Sequence, residues 1–213
     1  MATRKQDSNR KIIDATLKLA AQRDWLDISL SEIASEAGVT LAAIHERFSN
    51  KQAIISAYVR EVDAAVLADS DAVDMEGSAR DRLFDVMMRR FDELSRHKAA
   101  IGNILDSYRC QPVSALCALP GMGRSMAWML EAAGLSAGGW RGVVRVKGLS
   151  AIYLSVLRVW LKDESEDMAK TMAALDRTLA RADSILGRLR TRRRTRSAEE
   201  QAAGKDGSVG VPG

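Results

Sequence analysis

Residues with the reactivity for bond chemistry are few and scattered. The only histidines are His45 and His97, and the only cysteines are Cys110 and Cys117. Their spacing of seven suits one helix face rather than a CxxC metal or redox motif, so two buried, reduced thiols are expected. His97 stands beside Lys98 at a helix boundary, where a capping or surface role is expected. Gly121-Met122-Gly123 lacks the strand-then-helix context of a phosphate-binding loop and reads as a hinge between helices. With no metal-ligand spacing and no nucleophile elbow, the expectation is a protein that is not an enzyme and takes neither metal nor cofactor.

The remaining chemistry is that of contact. The chain has 32 basic and 28 acidic side chains, a net charge of +4. Six arginines and no acid fall in residues 188–196; without them the balance is 4 − 6 = −2. Such a run is ordinarily a solvated helix end or tail, and less often a contact for nucleic acid or anionic lipid. The segment Leu30 to Lys51 is more informative. Ile33, Ala34 and Ala37 face inward on one helix, Gly38 makes a turn, and Val39, Ile44 and Phe48 pin a second helix, Leu41 to Arg47, into the same core. In a helix–turn–helix the second helix enters the major groove and reads bases from its N-terminal part. Candidate DNA contacts are therefore Ser29, Thr40, Leu41, Ala42, His45, Glu46 and Lys51. Lys51, opening the next helix, is the expected phosphate contact, with Arg4, Lys5, Arg10 and Lys11 as supplements. Residues 1–60 hold nine basic and seven acidic side chains, only a modest excess.

The elements that must hold these residues are helical throughout. Of 213 residues, 46% are hydrophobic, 28% charged and 5% aromatic, and the first 111 contain no proline. Alternating apolar runs are scarce, which argues against β structure. An all-α fold of about nine helices is expected: Ser8–Gln22, a helix from a Ser29/Glu32 capping box to Gly38, Leu41–Arg47, Lys51–Ala68, Ala79–Ser95, Lys98–Arg109, one opened by Gly121-Met122-Gly123 and ending near Gly134, one capped by Ser136 and running to Lys162, and a last one from Glu164 or Ser165 to at least Leu189. Pro112 and Pro120 are expected to bracket a short broken segment. This gives a helix–turn–helix domain over 1–68 that would bind DNA, an acidic linker over 69–78, a second helical domain over 79–190, and a basic then disordered tail over 191–213. The N-terminus lacks a signal-peptide pattern, and Leu149 to Leu161 is too short to span a bilayer, so a cytoplasmic protein without stable membrane association is expected.

The ordered set Ile12-Ile13-Asp14-Ala15-Thr16, Leu19-Ala20, Ile33-Ala34, Ala37-Gly38-Val39 and Phe48-x-x-Lys51 resembles the TetR family of helix–turn–helix transcriptional regulators. The resemblance implies a homodimer, double-stranded operator DNA as partner, and a small-molecule pocket in the C-terminal part. Family members often carry Gly-Thr-aliphatic-Tyr where this chain has Ala42, Ala43, Ile44 and His45. Glu46 adds a negative charge to the helix that faces DNA; it could accept from cytosine N4 or repel phosphate.

For the pocket, Met87, Met88, Phe91, Leu105, Tyr108, Leu116, Met126, Trp128 and Met129 cluster in the middle helices, a flexible lining suited to an apolar or aromatic effector. The alternative is a methionine-filled core. For the dimer, Ile152, Tyr153, Val156, Trp160, Met172, Leu175, Leu179 and Ala182 mark apolar faces on two long helices, which would build a four-helix interface about a two-fold axis. The alternative buries them against the middle helices of the same chain. A second resemblance, over Trp160-Leu161-Lys162-Asp163-Glu164-Ser165 and Thr171 to Leu179, is to the lipid-binding ubiquinone-biosynthesis proteins, which implies a lipid- or isoprenoid-binding accessory role without operator binding.

Overall fold

The structure, a computed structural model, describes residues 2–68 and 76–184. Most of the 69–78 linker, the arginine run at 188–196, Ile185, Leu186, Leu189 and the 191–213 tail lie outside the described residues. Nine α-helices occur among the described residues: α1 (Ala2–Gln22), α2 (Leu30–Glu36), α3 (Leu41–His45), α4 (Lys51–Ala68), α5 (Ala79–Ser95), α6 (Lys98–Cys110), α7 (Pro112–Ala132), α8 (Gly139–Trp160) and α9 (169–184), with no strand.

Local chemistry sets most boundaries. Ser29 caps α2 in a reciprocal capping box: its hydroxyl accepts from Glu32 N at 3.2 Å, and its own N–H donates to Glu32 Oε2 at 2.8 Å. The Ser29 backbone N–H, then the Arg23 guanidinium and the Ser29 hydroxyl, hold the Glu32 carboxyl down to about 2. Gly38 closes α2 at φ 64°, with Val39 N donating to Ala34 O at 3.0 Å and Gly38 N to Ser35 O at 3.2 Å. That is a Schellman ending, which glycine adopts without the Cβ penalty.

Several boundaries depart from expectation: α1 begins at Ala2 rather than near Ser8, and α9 begins at 169 rather than at Glu164 or Ser165, because Ser165 is spent on the turn around Asp163. Trp25–Asp27 forms a short 3-10 turn, with Trp25 buried. The expected break between Pro112 and Gly121 is absent: α7 runs through Pro120. A proline there removes only one N–H, and its exposed face, shared with exposed Leu116 four residues earlier, leaves the orphaned carbonyl to water. Finally, α8 begins at Gly139 rather than at Ser136, because Gly142 packs on the incoming chain. A Cβ at Gly142 would lie 1.9 Å from Ala137 O.

The core is continuous. Ile12, Ile13 and Leu17 of α1 meet Ile33, Ile44, Phe48 and Ile54, and beyond α4 the same core continues through Met87, Phe91, Met126, Met129 and Trp160. Asn103 Nδ2 on α6 donates to Ala20 O at 2.8 Å, tying the second half to α1.

The α8–α9 corner turns on Asp163, which is buried. Its carboxylate accepts from the N–H and hydroxyl of Thr171 at 2.8 and 2.7 Å and from the N–H and hydroxyl of Ser165. Burial alone would raise this carboxyl, but the four donors outweigh it and hold it well below the usual range. A carboxyl lowered in the folded state contributes stability above its ordinary value near 3.8 and loses it as the pH falls below that value. Asp163→Asn places an N–H₂ among these donors. It is expected to lower stability by about 3 kcal/mol at neutral pH and to abolish this contribution to the acid limb of a pH–stability curve. Parallel urea melts of the variant and parent at pH 7 and pH 3 check both.

Candidate nucleic-acid interface and effector cavity

The helix–turn–helix is assembled as expected. Ile33 and Ala34 of α2 and Ile44 of α3 are buried, with Phe48 just beyond. Thr40 caps α3, its hydroxyl accepting from Ala43 N at 3.1 Å. Helix α3 ends at His45, two residues short of the expected Arg47, as the chain turns through Glu46 and Arg47. Thr40, Leu41, Ala42, His45 and Glu46 all face solvent, with Leu41 at 48% exposure, large for an unpartnered leucine. Ser29 is also exposed, one helix away.

Lys51 has a different setting from the one expected. Its ammonium donates to Trp25 O at 2.8 Å and to Ile28 O at 2.6 Å and lies 4.6 Å from the Trp25 ring centre. Burial lowers its pKa, against the pull of Asp24, Asp27 and Glu32. Two of its three N–H donors therefore clamp the 3-10 turn to the start of α4, and one remains. Lys51→Met orphans two half-buried carbonyls and is expected to lower the melting temperature by roughly 4–12 °C, from a loss of about 2–3 kcal/mol. Differential scanning calorimetry reads this directly. An unchanged melting curve would show that water replaces the ammonium without loss.

The second feature is a cavity of about 1040 Å³ between α4, α6, α7 and α8. Helix α4 supplies its long wall: Gln52, Ser56, Val59, Arg60, Asp63 and Leu67 recur at helical spacing on one face. One end reaches the helix–turn–helix, where Arg47 and Phe48 line it and Arg47 Nη1 donates to Ala43 O of α3 at 2.7 Å. Tyr108 of α6 donates to Gln52 Oε1 at 2.9 Å at the same end. Farther along, Asp63 and Arg90 form a buried ion pair, Ser125 Oγ donates to Asp63 Oδ1 at 2.6 Å, and the Arg90 guanidinium stacks 5.4 Å from the Tyr153 ring. Tyr58, buried beside this network and edge-on to His97 at 5.5 Å, has its phenol raised by burial and stays protonated. That contact, rather than a capping bond, is the setting of His97.

Of the nine residues expected to line a pocket, Leu105, Tyr108 and Trp128 do so, Trp128 at 51% exposure. Met87, Phe91, Met126 and Met129 are fully buried core instead, and Met88 packs against that core. Leu116 is 66% exposed, outside the lining. The middle helices turn Met87, Phe91, Met126 and Met129 toward one another, and the cavity opens beside them along α4. Cys110, at the end of α6, and Cys117, in the solvent-facing first half of α7, are exposed, not buried; Cys117 reaches the cavity wall.

The expected dimer faces divide in the same way. Tyr153, Val156, Trp160, Leu175 and Leu179 are buried within the single chain, Tyr153 and Trp160 against Phe91 at 5.7 and 5.8 Å. They cannot also meet a partner. Ile152, Met172 and Ala182 remain half-buried, and the large apolar residues left exposed on α8 are Trp140, Val143 and Val144. Arg47, Arg60, Asp63, Arg90 and Ser125 were missed in the sequence. The signal was present for α4 alone, as the polar stripe Gln52-Ser56-Arg60-Asp63 inside an otherwise apolar helix.

Residues 12–58 match the family model of bacterial regulatory proteins, tetR family, and residues 145–185 match the COQ9 model. A transcriptional regulator BetI of Brucella suis is 34% identical over 70 residues, 33% of this chain and 35% of that protein. Its Escherichia coli counterpart is 32% identical over 96 residues, 43% and 49% of the two chains. The chain thus spans about a third to a half of the length of the curated relatives it matches. A TetR transcriptional regulator from Nitrosomonas europaea superposes with a TM-score of 0.67 at 25% identity, covering 82% of this chain and 97% of that one. A Thermus thermophilus repressor, FadR, solved in complex with lauroyl-CoA, shares the fold at 16% identity with a TM-score of 0.54, over 81% and 91% of the chains.

Proposed function

We propose, for a chain whose residues 12–58 match the family model of bacterial regulatory proteins, tetR family, a cytoplasmic, homodimeric, ligand-responsive repressor that binds palindromic operator DNA through a helix–turn–helix of the TetR kind. The observation that carries this reading is α3: Ile44 and Phe48 anchor it while Thr40, Leu41, Ala42 and His45 stand free at its outer face. Two such helices related by a two-fold axis read two half-sites. The remaining N–H of Lys51 is assigned to a phosphate, so that Lys51→Met also flattens the salt dependence of binding by about one unit.

The dimer is assigned to α8 and α9, through Trp140, Val143 and Val144 together with the open sides of Ile152, Met172 and Ala182. The effector is assigned to the 1040 Å³ cavity. Because α4 is at once the cavity wall and the support of the DNA head, a ligand that prefers one setting of α4 shifts the separation of the two heads. About 2 kcal/mol of such preference corresponds to a roughly thirtyfold change in operator affinity.

Selection of genomic fragments by the purified protein at about 150 mM salt, with light scattering for mass, tests the reading. Enrichment of one palindromic sequence by a dimer supports it. A folded monomer, or a dimer that enriches nothing, counts against it. The COQ9 match over residues 145–185 favours a second reading, a lipid-binding accessory protein. That reading expects a copurifying apolar molecule and no enriched sequence.

A further inference from the structure

The cavity wall carries six arginines, Arg47, Arg60, Arg90, Arg109, Arg124 and Arg158, and two acids, Asp63 and Asp106. Three of these arginines have acidic neighbours: Arg90 pairs with Asp63, Arg109 lies 3.2 Å from Asp106, and Arg47 lies 3.6 Å from Glu46. Arg60, Arg124 and Arg158 are exposed and make no ion pair within 4 Å among the described residues. They come from α4, α7 and α8, so three separate helices bring guanidiniums without a close ion pair to one cavity, Arg60 also acting on the carboxyl of its neighbour Glu61. The rest of the wall is largely apolar, with Leu67, Leu94, Ile101, Leu105, Leu154 and Leu157 prominent.

An apolar cleft whose border carries an excess of one sign of charge, here six arginines against two acids, concentrates field lines and enriches the opposite charge. Guanidinium groups pair with carboxylate or phosphate oxygens in two-point contacts. A cation would meet repulsion at this rim, and a neutral molecule would leave the guanidiniums unused. The lining residues of α4 run from Gln52 to Leu67, about 22 Å of helix, which suits an elongated body rather than a compact one.

We propose that the cavity takes an elongated amphiphilic anion, its carboxylate or phosphate head held by Arg60, Arg124 and Arg158 and its alkyl or aryl body among the leucines and isoleucines. This rests on the assignment of the cavity as the effector site. The body lies along α4, and a ligand long enough to reach Phe48 and Arg47 presses on the end of the recognition helix.

The test is calorimetric titration of the full-length protein, without DNA, with four probes of one chain length: decanoate, decyl phosphate, decanol and decyltrimethylammonium. At least one anion is expected to bind tenfold or more tightly than decanol, and the cation not to bind. In Arg124→Gln/Arg158→Gln, anion affinity is expected to fall at least tenfold while decanol affinity and the melting temperature stay unchanged, both side chains being exposed. Failure of both anions to bind, equal affinity for anion and alcohol, or an unchanged anion affinity in the double variant would each overturn the proposal. DNA release is read separately on the enriched fragment. Arginine-dependent anion binding that never alters DNA binding would sink the regulatory reading and leave the ligand class standing.

Discussion

Arg90→Ala is expected to lower the stability of the protein by about 3–5 kcal/mol, the cost of leaving a buried carboxylate without its partner. Asp63 and Arg90 are both buried, and among the described residues the other donor to Asp63 is the Ser125 hydroxyl. Removing the guanidinium strands the Asp63 charge in the middle of α4 and takes away the cation that covers the Tyr153 ring. For a chain of this size the loss corresponds to roughly 6–20 °C in melting temperature. The decisive comparison is the double variant Asp63→Leu/Arg90→Met. It removes both charges at similar volume and is expected to regain most of the lost stability, since replacing a buried pair by apolar groups is often neutral. Melts are compared at one protein concentration, because association with a partner chain makes stability concentration-dependent. If Arg90→Ala melts like the parent, Asp63 has found water or a proton, and the pair is not a closed unit.

The second large effect concerns DNA. Ala42→Asp puts a carboxylate on the outer face of α3, where Ala42 is exposed and buries nothing. In the first turn of a helix an aspartate is neutral or slightly favourable for folding. On the proposed interface it faces the negative field of the duplex, and a like-charge contact of that kind costs several kcal/mol. A loss of operator affinity of about 100-fold or more is expected, with an unchanged melting curve. The companion variant Glu46→Gln separates the two roles open to Glu46. Tighter binding on every sequence marks it as a phosphate repeller; a changed preference at one base pair marks it as a reader of cytosine. If Ala42→Asp binds the selected fragment as the parent does, α3 is not the helix in the groove.

Both predictions rest on residues of very different legibility. Ala42 could be placed from the sequence because everything around it is local. The Ser29–Glu32 box, the left-handed turn at Gly38 and the Thr40 cap each act over three or four residues, and the spacing of Ile33, Ile44 and Phe48 then fixes which side of α3 is left outside. The start of α5 was legible for the same reason, with Ser78 capping through Asp81 N at 3.2 Å. Short-range hydrogen bonds and helical periodicity are written in the order of residues, so the helix–turn–helix and the all-α class were determined there.

Arg90 was not legible. On its own helix it reads as one more arginine beside Arg89, and only its partner across the fold, Asp63, twenty-seven residues away, makes its burial tolerable. The same holds for the apolar residues of α5, α7 and α8. Composition marked Met87, Met126 and Met129 as a pocket or a core, and the pattern of α8 marked Val156 and Trp160 as an apolar face, but neither states whether a residue meets a neighbour in its own chain, a partner or a ligand. Packing brings Met87, Phe91, Met126, Met129 and Trp160 into one core, and the cavity forms along the flank where α4 carries Gln52, Ser56, Arg60 and Asp63. Lys51 shows the limit most sharply. The sequence marked it as a phosphate contact at a helix start, while the tertiary structure also brings the carbonyls of Trp25 and Ile28 to its ammonium. Sequence by itself determined the elements, their caps and the outward face of α3, because those follow from neighbours in the chain. Tertiary structure alone decided which charges are paired, which apolar faces are spent, and where a ligand can enter, because those depend on groups that meet only when distant helices pack.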